Sequence, residues 1–155
     1  MKLGLALGGG GARGAAHIGA MMEMERLGVK PALISGTSIG GMIGALLAIG
    51  LDTDALTMFF TKLNLSQLYA FPGTASGFSG TTKIERLLEN TIGRPTFADL
   101  KIPLALVACD LVSRKMVVLD EGDVIQAILA TIAIPILLPP VERDGMVLVD
   151  GGLLN

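Results

Sequence analysis

Three short stretches of this sequence carry residue types that could do chemistry together. A serine stands between glycines in Gly36-Thr37-Ser38-Ile39-Gly40, a glycine-rich run extends from Gly8 to Gly14, and an aspartate precedes two glycines in Asp150-Gly151-Gly152. A serine hydroxyl can attack a carbonyl carbon, a carboxylate can take its proton, and backbone amides exposed by glycines can hold the resulting oxyanion. The three stretches together predict nucleophilic acyl transfer.

The stretch around Ser38 joins an apolar run, PALI, to a longer one, GMIGALLAIG. A strand that turns sharply into a helix strains the backbone at the turning residue and pushes its side chain out over the sheet edge. Gly36 and Gly40 allow close approach on either side, and the helix N-terminus adds amide donors and a positive dipole end. The alternative is that the GxSxG match arises by chance and that Ser38 only caps a helix.

The glycine-rich run GGGGARG lies between the first predicted strand and the first predicted helix. It also matches GxGxxG, but the second predicted strand ends in SGTS, without the acidic residue that a dinucleotide site places there. No lysine follows as in a phosphate-binding P-loop. An oxyanion hole that faces Ser38 is the better interpretation, because neighbouring parallel strands bring both loops to the same sheet edge. Gly10 and Gly11 are the expected donors, and Arg13 adds charge or orients the loop.

A serine nucleophile needs a base, and the sequence offers one histidine, His17. His17 lies in the first predicted helix, upstream of the serine, whereas hydrolases of the usual α/β type place their histidine last in the chain. Asp150 ends the predicted strand MVLV and projects into a tight turn, so we expect it to be the base. An isolated Asp-Gly is more commonly a simple turn former, but here three motifs each stand at a predicted strand end.

The pattern of apolar runs and glycines predicts alternating strands and helices. The expected strands are a fully buried strand in KLGLAL, buried strands in ALIS and KIPLALVACD, a paired strand in RKMVVLDEGD and a hairpin around Asp144-Gly145. The expected helices are AAHIGAMMEMERLG, GMIGALLAIG, a segment capped by Asp52 or Thr53, TTKIERLLENTIG, and VIQAILATIAI up to Pro135, with a loop at FPGTASGFSG. This order is typical of βαβ units. The expected fold is a three-layer α/β/α sandwich with a mainly parallel central sheet.

Length and composition restrict the class of protein. The 155 residues are expected to form one domain over residues 1–155. The densest apolar run, Ile39 to Leu51, has 13 residues, fewer than the roughly 18 that a membrane span requires. A net charge of −2 leaves no cationic surface to dominate nucleic-acid binding. One cysteine, Cys109, excludes an internal disulfide, and one cysteine with one histidine cannot build a zinc site. The apolar start is too short for a signal peptide, so cytoplasmic localisation is the expectation.

In this order and spacing, GGGGARG, GTSIG and DGG resemble the patatin-like phospholipase family, especially its small bacterial members. The similarity extends over essentially the whole chain and includes AIP at Ala133 to Pro135 and PPV at Pro139 to Val141. The resemblance implies a patatin-like fold and a Ser–Asp dyad, without histidine, that hydrolyses acyl esters of lipids.

Carried over, the resemblance makes Ser38 the nucleophile, Asp150 the proton acceptor, and Gly10, Gly11 and Arg13 the oxyanion hole. The other motif positions are Gly9, Gly14, Gly36, Gly40, Gly151 and Gly152. It implies a lipid or acyl-ester substrate of the phospholipase A, lysophospholipase or esterase type, without metal or cofactor, and is compatible with peripheral membrane contact. The alternative is a catalytically weak or inactive interaction or adaptor protein on the same fold, because fold alone does not secure activity.

Two features depart from the family pattern. Ile136 follows AIP at a position where the family typically has glycine. The sequence ends at Asn155, where family members usually continue with a proline-containing turn, further helices and another strand. We therefore expect the C-terminal part of the usual family domain to be absent.

The segment from Leu56 to Phe71 holds four of the six aromatic residues and precedes a Gly/Ser-rich stretch. This arrangement favours a lid or acyl-chain surface with a hinge beside it. Helical periodicity favours an ordinary core helix about as strongly.

Overall fold

The structure, a computed structural model, describes residues 2–63 and 76–154, and for residues 76–79 only the backbone. Within these residues a six-stranded mixed sheet is flanked by helices. The strands are β1 (Gly4–Leu7), β2 (Leu33–Thr37), β3 (Leu104–Asp110), β4 (Lys115–Leu119), β5 (Val141–Arg143) and β6 (Met146–Asp150). The α-helices are α1 (Ala15–Arg26), α2 (Ile39–Ile49), α3 (Thr53–Leu63), α4 (Ser76–Ile92) and α5 (Val124–Thr131). Short 3-10 helices occupy Gly11–Gly14, Phe97–Asp99 and Gly151–Leu153.

The sheet confirms the expected fold class. Strands β1, β2 and β3 are parallel neighbours, as the predicted βαβ units require. Strands β4 and β6 run antiparallel to β3, and β5 runs antiparallel to β6, so β5 points in the same direction as the first three strands. Most strands of the described sheet therefore run in one direction.

Strand β3 carries two other strands along one of its edges. β2 pairs with Leu104 to Val107, β6 pairs with Ala108 to Asp110, and β4 pairs with Leu106 to Asp110. Because β4 occupies one edge of these shared residues, β2 and β6 must both lie on the other edge. They run toward each other and meet end to end, with Thr37 and Asp150 paired to neighbouring residues of β3.

Helices α2 and α5 pack directly on the sheet, and α1, α3 and α4 pack around them. Helix α2 is apolar nearly all round and therefore buried, with Ile43 and Leu46 fully inaccessible to solvent. Gly44 lets α2 approach Ile34 of β2 closely, since a Cβ at this glycine would lie 2.9 Å from that side chain. The core consequently lies between the sheet and these two helices. No helix in the described residues is long and apolar enough to cross a membrane.

Several local predictions are confirmed. Gly28 and Gly93, the predicted stops of α1 and α4, have φ values of 66° and 69°, a conformation that glycine adopts without steric cost. Asp52 caps α3, since its carboxylate accepts a hydrogen bond of 2.8 Å from the amide of Ala55. Asp144-Gly145 forms the turn between β5 and β6.

Three element predictions are wrong. Strand β1 is not fully buried, because β2 is its only partner among the described strands and Leu7 is its only buried residue. The stretch FPGTASGFSG is helical from Ser76 onward, where Gly80 packs near Leu138, and residues 71–75 lie outside the described residues. Helix α5 ends at Thr131 rather than near Pro135, because the chain turns away there and the Ala133 carbonyl accepts the Asp150 amide at 2.9 Å.

Asp110 joins the β3–β4 turn to β6. Its buried carboxylate accepts hydrogen bonds from the amides of Val112 at 3.1 Å, Ser113 at 3.0 Å and Val147 at 3.0 Å. Bonds from the Ser113 hydroxyl and amide, together with those from Val147 and Val112, lower the pKa of Asp110 from 3.8 to about 2. The ionised carboxylate is thus the form that holds β6 on β3.

We predict that Asp110→Asn lowers the melting temperature at pH 7 and flattens its acid dependence. The stabilisation from a depressed pKa is complete above the unfolded value of 3.8 and is lost as the pH falls through about 2. Thermal melts of wild type and variant from pH 7 to pH 2 measure both effects, with the exposed Asp120→Asn as control. Parallel melting curves for wild type and Asp110→Asn below pH 4 would contradict this role.

Candidate active site

Ser38 occupies the turn between β2 and α2 in a strained conformation, with φ 56° and ψ −131°. It is 5% exposed, and its carbonyl accepts the Met42 amide at 3.1 Å, so Ser38 is the N-cap residue of α2. The Ser38 hydroxyl makes no capping hydrogen bond to α2. The helix-cap interpretation is therefore wrong for the side chain, which is free to point elsewhere.

Gly36 and Gly40 make the turn possible through close backbone contact. A Cβ on Gly36 would lie 2.6 Å from the Cα of Gly41. A Cβ on Gly40 would overlap the carbonyl oxygens of Leu7 and Gly8 at the end of β1. The turn from Gly36 to Gly40, called the Ser38 elbow below, thus packs on α2 and on β1 at distances that leave no room for a side chain. This explains both glycines of the motif.

Asp150 receives the Ser38 hydroxyl. The Oγ of Ser38 donates a hydrogen bond of 2.6 Å to Oδ2 of Asp150, and both residues are 5% exposed. The other carboxylate oxygen, Oδ1, accepts the amide of Gly152 at 2.8 Å. Asp150 is therefore a turn former and a partner of the serine at once, with one oxygen for each contact.

The turn after Asp150 packs against two residues of β3. A Cβ on Gly151 would overlap the carbonyl of Val107, so glycine is required for the turn to sit against β3. The buried thiol of Cys109 lies 3.4 Å from the Gly151 carbonyl and donates to it. These contacts hold the carboxylate at the meeting point of β6 and β2.

The glycine-rich loop lies over Ser38. A Cβ on Gly9 would be 3.4 Å from the Cβ of Ser38, and Gly11 has φ 55°. The amides of Gly10 and Gly11 donate to no other residue that the structure describes, whereas the Arg13 amide donates to the Gly10 carbonyl at 3.1 Å. Two backbone donors therefore remain available beside the hydroxyl, and Arg13 contributes its side chain only.

Two further residues set the place of this loop. A Cβ on Gly14 would lie 2.6 Å from the Ile39 side chain, so this glycine brings the loop against the first turn of α2. Nε2 of His17 lies 2.9 Å from the Gly8 carbonyl and donates to it, since a carbonyl can only accept. His17 thus contacts the glycine-rich loop and not Ser38.

A cavity of about 560 Å³ opens above the Ser38–Asp150 pair. It is lined by Gly8, Gly9, Gly10, Gly11, Arg13, Thr37, Ser38, Ile134, Pro135, Asp150, Gly152 and Leu153. All three predicted motifs and the AIP segment therefore contribute to one concave surface. In the part of the chain that the structure describes, no group of His, Cys, Asp or Glu residues could hold a metal ion.

Thr131, the last residue of α5, is a site residue that none of the three sequence motifs contains. Its fully buried hydroxyl accepts the Ser38 amide at 2.9 Å and donates to the Val107 carbonyl at 2.5 Å. A signal was present, because a threonine near the end of the apolar run VIQAILATIAI is a buried polar group that needs partners.

Ile136, the residue that departs from the family pattern, follows the cavity-lining Pro135. It has φ 75° and is 83% exposed. A β-branched side chain at positive φ is strained, whereas glycine would adopt this conformation freely. The departure therefore adds strain and an exposed apolar side chain next to the cavity.

The fold and the site together define a class of α/β protein. Its serine lies at a strand-to-helix turn and is hydrogen-bonded to an aspartate from a second strand. The chain belongs to the patatin-like phospholipase family, whose family model matches residues 5–155.

Similar proteins are longer than this chain. An uncharacterized NTE family protein of Mycobacterium tuberculosis (strain CDC 1551 / Oshkosh) is 35% identical over 158 residues, which cover 99% of this chain and 27% of the relative. Neuropathy target esterase of Drosophila grimshawi is 31% identical over 163 residues, 99% of this chain and 11% of the relative. The crystal structure of VipD from Legionella pneumophila superposes with a TM-score of 0.78 at 16% identity, over 99% of this chain and 46% of that one.

We predict that Gly40→Ala destabilises the protein by about 1–3 kcal/mol or more, because the new methyl group overlaps two carbonyl oxygens of the β1 end. Gly19→Ala is the matched control, since Gly19 lies in α1 with nothing within 4 Å of an added Cβ. The free energy of unfolding of Gly19→Ala should rise by about 1 kcal/mol, because alanine has the higher helix propensity. Denaturant unfolding measures both variants, and equal stability of Gly40→Ala and wild type would contradict the contact.

Proposed function

We propose that this protein is a lipid acyl hydrolase that cleaves carboxylic esters through Ser38 and Asp150. The observation that carries the proposal is the 2.6 Å hydrogen bond from Ser38 Oγ to Asp150 Oδ2 beneath the glycine-rich loop. Membership in the patatin-like phospholipase family supports a lipid ester as the substrate class. The proposed substrates are those of a phospholipase A, a lysophospholipase or an esterase.

In the first step, Ser38 Oγ attacks the ester carbonyl carbon while its proton passes to Oδ2 of Asp150. The hydrogen bond already joins donor and acceptor, so no rearrangement is needed before transfer. The second carboxylate oxygen stays bonded to the Gly152 amide and keeps the group in place. Oδ2 of Asp150 thus accepts the proton, while Oδ1 fixes the position of the side chain.

The carbonyl oxygen becomes negatively charged as the tetrahedral intermediate forms. The amides of Gly10 and Gly11 lie beside Ser38 as candidate donors to this oxygen, with the Arg13 side chain on the same cavity wall. Preorganised donors of this kind stabilise the charge without reorganising during the reaction. The N-terminus of α2 adds the positive end of its dipole.

Collapse of the intermediate breaks the ester C–O bond, and the leaving alkoxide takes the proton from Asp150. A water molecule then gives a proton to Asp150 and attacks the acyl-Ser38 carbonyl. This attack forms a second tetrahedral intermediate. Its collapse releases the fatty acid, and the proton held by Asp150 returns to Ser38. The cycle needs no cofactor, because every proton goes to a named group.

We predict that Ser38→Ala abolishes both ester hydrolysis and covalent labelling by a fluorophosphonate, with the fold retained. Asp150→Asn should lower kcat by about 10²–10⁴-fold, the range for loss of a general base. His17→Gln should lower it far less, because His17 contacts the Gly8 carbonyl rather than the serine. Rates on a short-chain ester, with melting temperatures beside them, measure all three.

Each outcome of this comparison is decisive. Labelling that persists in Ser38→Ala would place the nucleophile elsewhere. Equal losses in His17→Gln and Asp150→Asn would support a histidine base. A folded wild type that neither labels nor hydrolyses any ester would favour the interaction-protein alternative.

The proposed acyl-chain surface is narrower than the segment predicted from the sequence. Leu56, Phe59 and Leu63 are buried in the core, as an ordinary helix requires. Phe60 is only partly buried and lines a groove of about 420 Å³ between α1 and α3, beside Met22 and Ala12. Since Ala12 belongs to the 3-10 turn next to the catalytic cavity, we propose that Phe60 contacts the acyl chain. The other two aromatic residues of that segment, Tyr69 and Phe71, lie outside the described residues.

We predict that Phe60→Ser lowers activity on long-chain or vesicle substrates and spares a soluble short-chain ester. Phe59→Ser is the neighbouring control: Phe59 is 3% exposed, so losing it should cost about 3–5 kcal/mol and reduce both activities together. Melting temperatures recorded with the two activities separate the effects. A parallel loss of both activities in Phe60→Ser, at a stability like that of Phe59→Ser, would assign Phe60 to the core.

A further inference from the structure

The parallel ladder between β2 and β3 ends at Ser38, where a side-chain hydroxyl takes the place of a direct backbone hydrogen bond. The Ile34 amide donates to the Pro103 carbonyl at 2.9 Å. In a parallel pair this pattern repeats every two residues, so in this register the Ser38 amide would be the next donor to the Val107 carbonyl. Instead, the Thr131 hydroxyl stands between them, accepting from Ser38 at 2.9 Å and donating to Val107 at 2.5 Å.

This inserted hydroxyl satisfies two buried groups while it lets β2 leave the sheet. Without it, the Ser38 amide and the Val107 carbonyl would both be buried without a partner where the strand turns into α2. The Ser38 amide is also fully occupied, so it is not a donor for an oxyanion. The amides of Gly10 and Gly11 remain the proposed oxyanion donors.

The strained conformation of Ser38 depends on such contacts. A non-glycine residue at φ 56° and ψ −131° persists only where its surroundings over-determine it. Ser38 is held at its amide by Thr131, at its carbonyl by the Met42 amide, and at its hydroxyl by Asp150. The Thr131 contact ties the Ser38 backbone to β3 through the Val107 carbonyl.

The end of α5 also holds the second member of the pair. Two residues after Thr131, the Ala133 carbonyl accepts the Asp150 amide at 2.9 Å. One short segment thus fixes the backbones of Ser38 and Asp150 relative to each other. The Thr131 methyl lies close to Gly41, where an added Cβ would be 2.9 Å away, so both ends of this side chain are in contact.

We propose that Thr131 is a positioning residue for ester hydrolysis, whose hydroxyl holds the Ser38 elbow at the distance from Asp150 that proton transfer requires. This inference rests on the proposed function. It assigns the effect to the hydroxyl and not to the volume of the side chain. Thr131→Val and Thr131→Ser separate these two properties, since valine keeps the shape and serine keeps the hydroxyl.

The experiment compares kcat, KM and the fluorophosphonate labelling rate of wild type, Thr131→Val and Thr131→Ser, each corrected for its folded fraction. Thr131→Val should lower kcat and the labelling rate by about 100-fold, the scale of a misplaced reacting group, with KM unchanged. Thr131→Ser should restore most of both rates. Ile128→Val, one turn earlier on α5 and fully buried, controls for lost stability alone.

Wild-type labelling by folded Thr131→Val, or equal loss in Thr131→Ser and Thr131→Val, would overturn the positioning role. If Thr131→Val does not fold, Thr131→Cys replaces it, because a thiol has similar volume and weaker hydrogen bonds. An intermediate labelling rate in that variant supports the proposal, and a wild-type rate overturns it. Absence of Ser38 labelling in the wild-type protein would refute the proposed function itself, which is a separate result.

Discussion

The site depends on one constraint of the sheet: β2 and β6 share a single edge of β3 and meet end to end. Their last paired residues face neighbouring positions on β3, so Thr37 and Asp150 are brought together by ladder hydrogen bonds. The residue after Thr37 is the serine. Two side chains that are 112 residues apart in sequence thereby come within 2.6 Å.

The buried side chains of Ser38, Thr131 and Asp150 at this junction are all hydrogen-bonded, and their partners also set the geometry of the site. The carboxylate of Asp150 divides its oxygens between the serine and the turn, and Asp110 fixes β6 on β3 at the other end of that strand. In a low-dielectric interior such bonds are strong, and an unpaired group is costly. The same contacts that satisfy the interior therefore determine where the hydroxyl points.

Glycines decide how close the three loops can come. Gly36 and Gly40 let the elbow fold against itself and the end of β1, while Gly151 lets the aspartate turn rest on β3. Glycine is required at these positions because a Cβ would overlap neighbouring backbone atoms, and not because the backbone adopts a positive φ. This chain spans 27% and 11% of the two longer relatives compared here.

The sequence by itself determined the residue types at the strand ends and the local turns. The serine elbow, the glycine-rich loop, the DGG turn and the helix stops at Gly28 and Gly93 are encoded in a few adjacent residues, since they depend on local backbone conformation. The apolar runs likewise determined the α/β class. The choice of Asp150 over His17 needed the chain order of the motifs and the resemblance to a known family, because no local pattern states which strand ends adjoin.

Only the tertiary structure decided the contacts between distant segments. It placed Thr131, 93 residues from Ser38 in sequence, in the gap of the β2–β3 ladder. It buried Phe59 in the core and left its neighbour Phe60 on a groove, although the two rings are adjacent in one helix. It began α4 at Ser76, within a stretch whose glycines and serines favour a loop. Periodicity reports which face of an element is apolar, but the packing of one element against another decides which polar group is buried there and what it must bond.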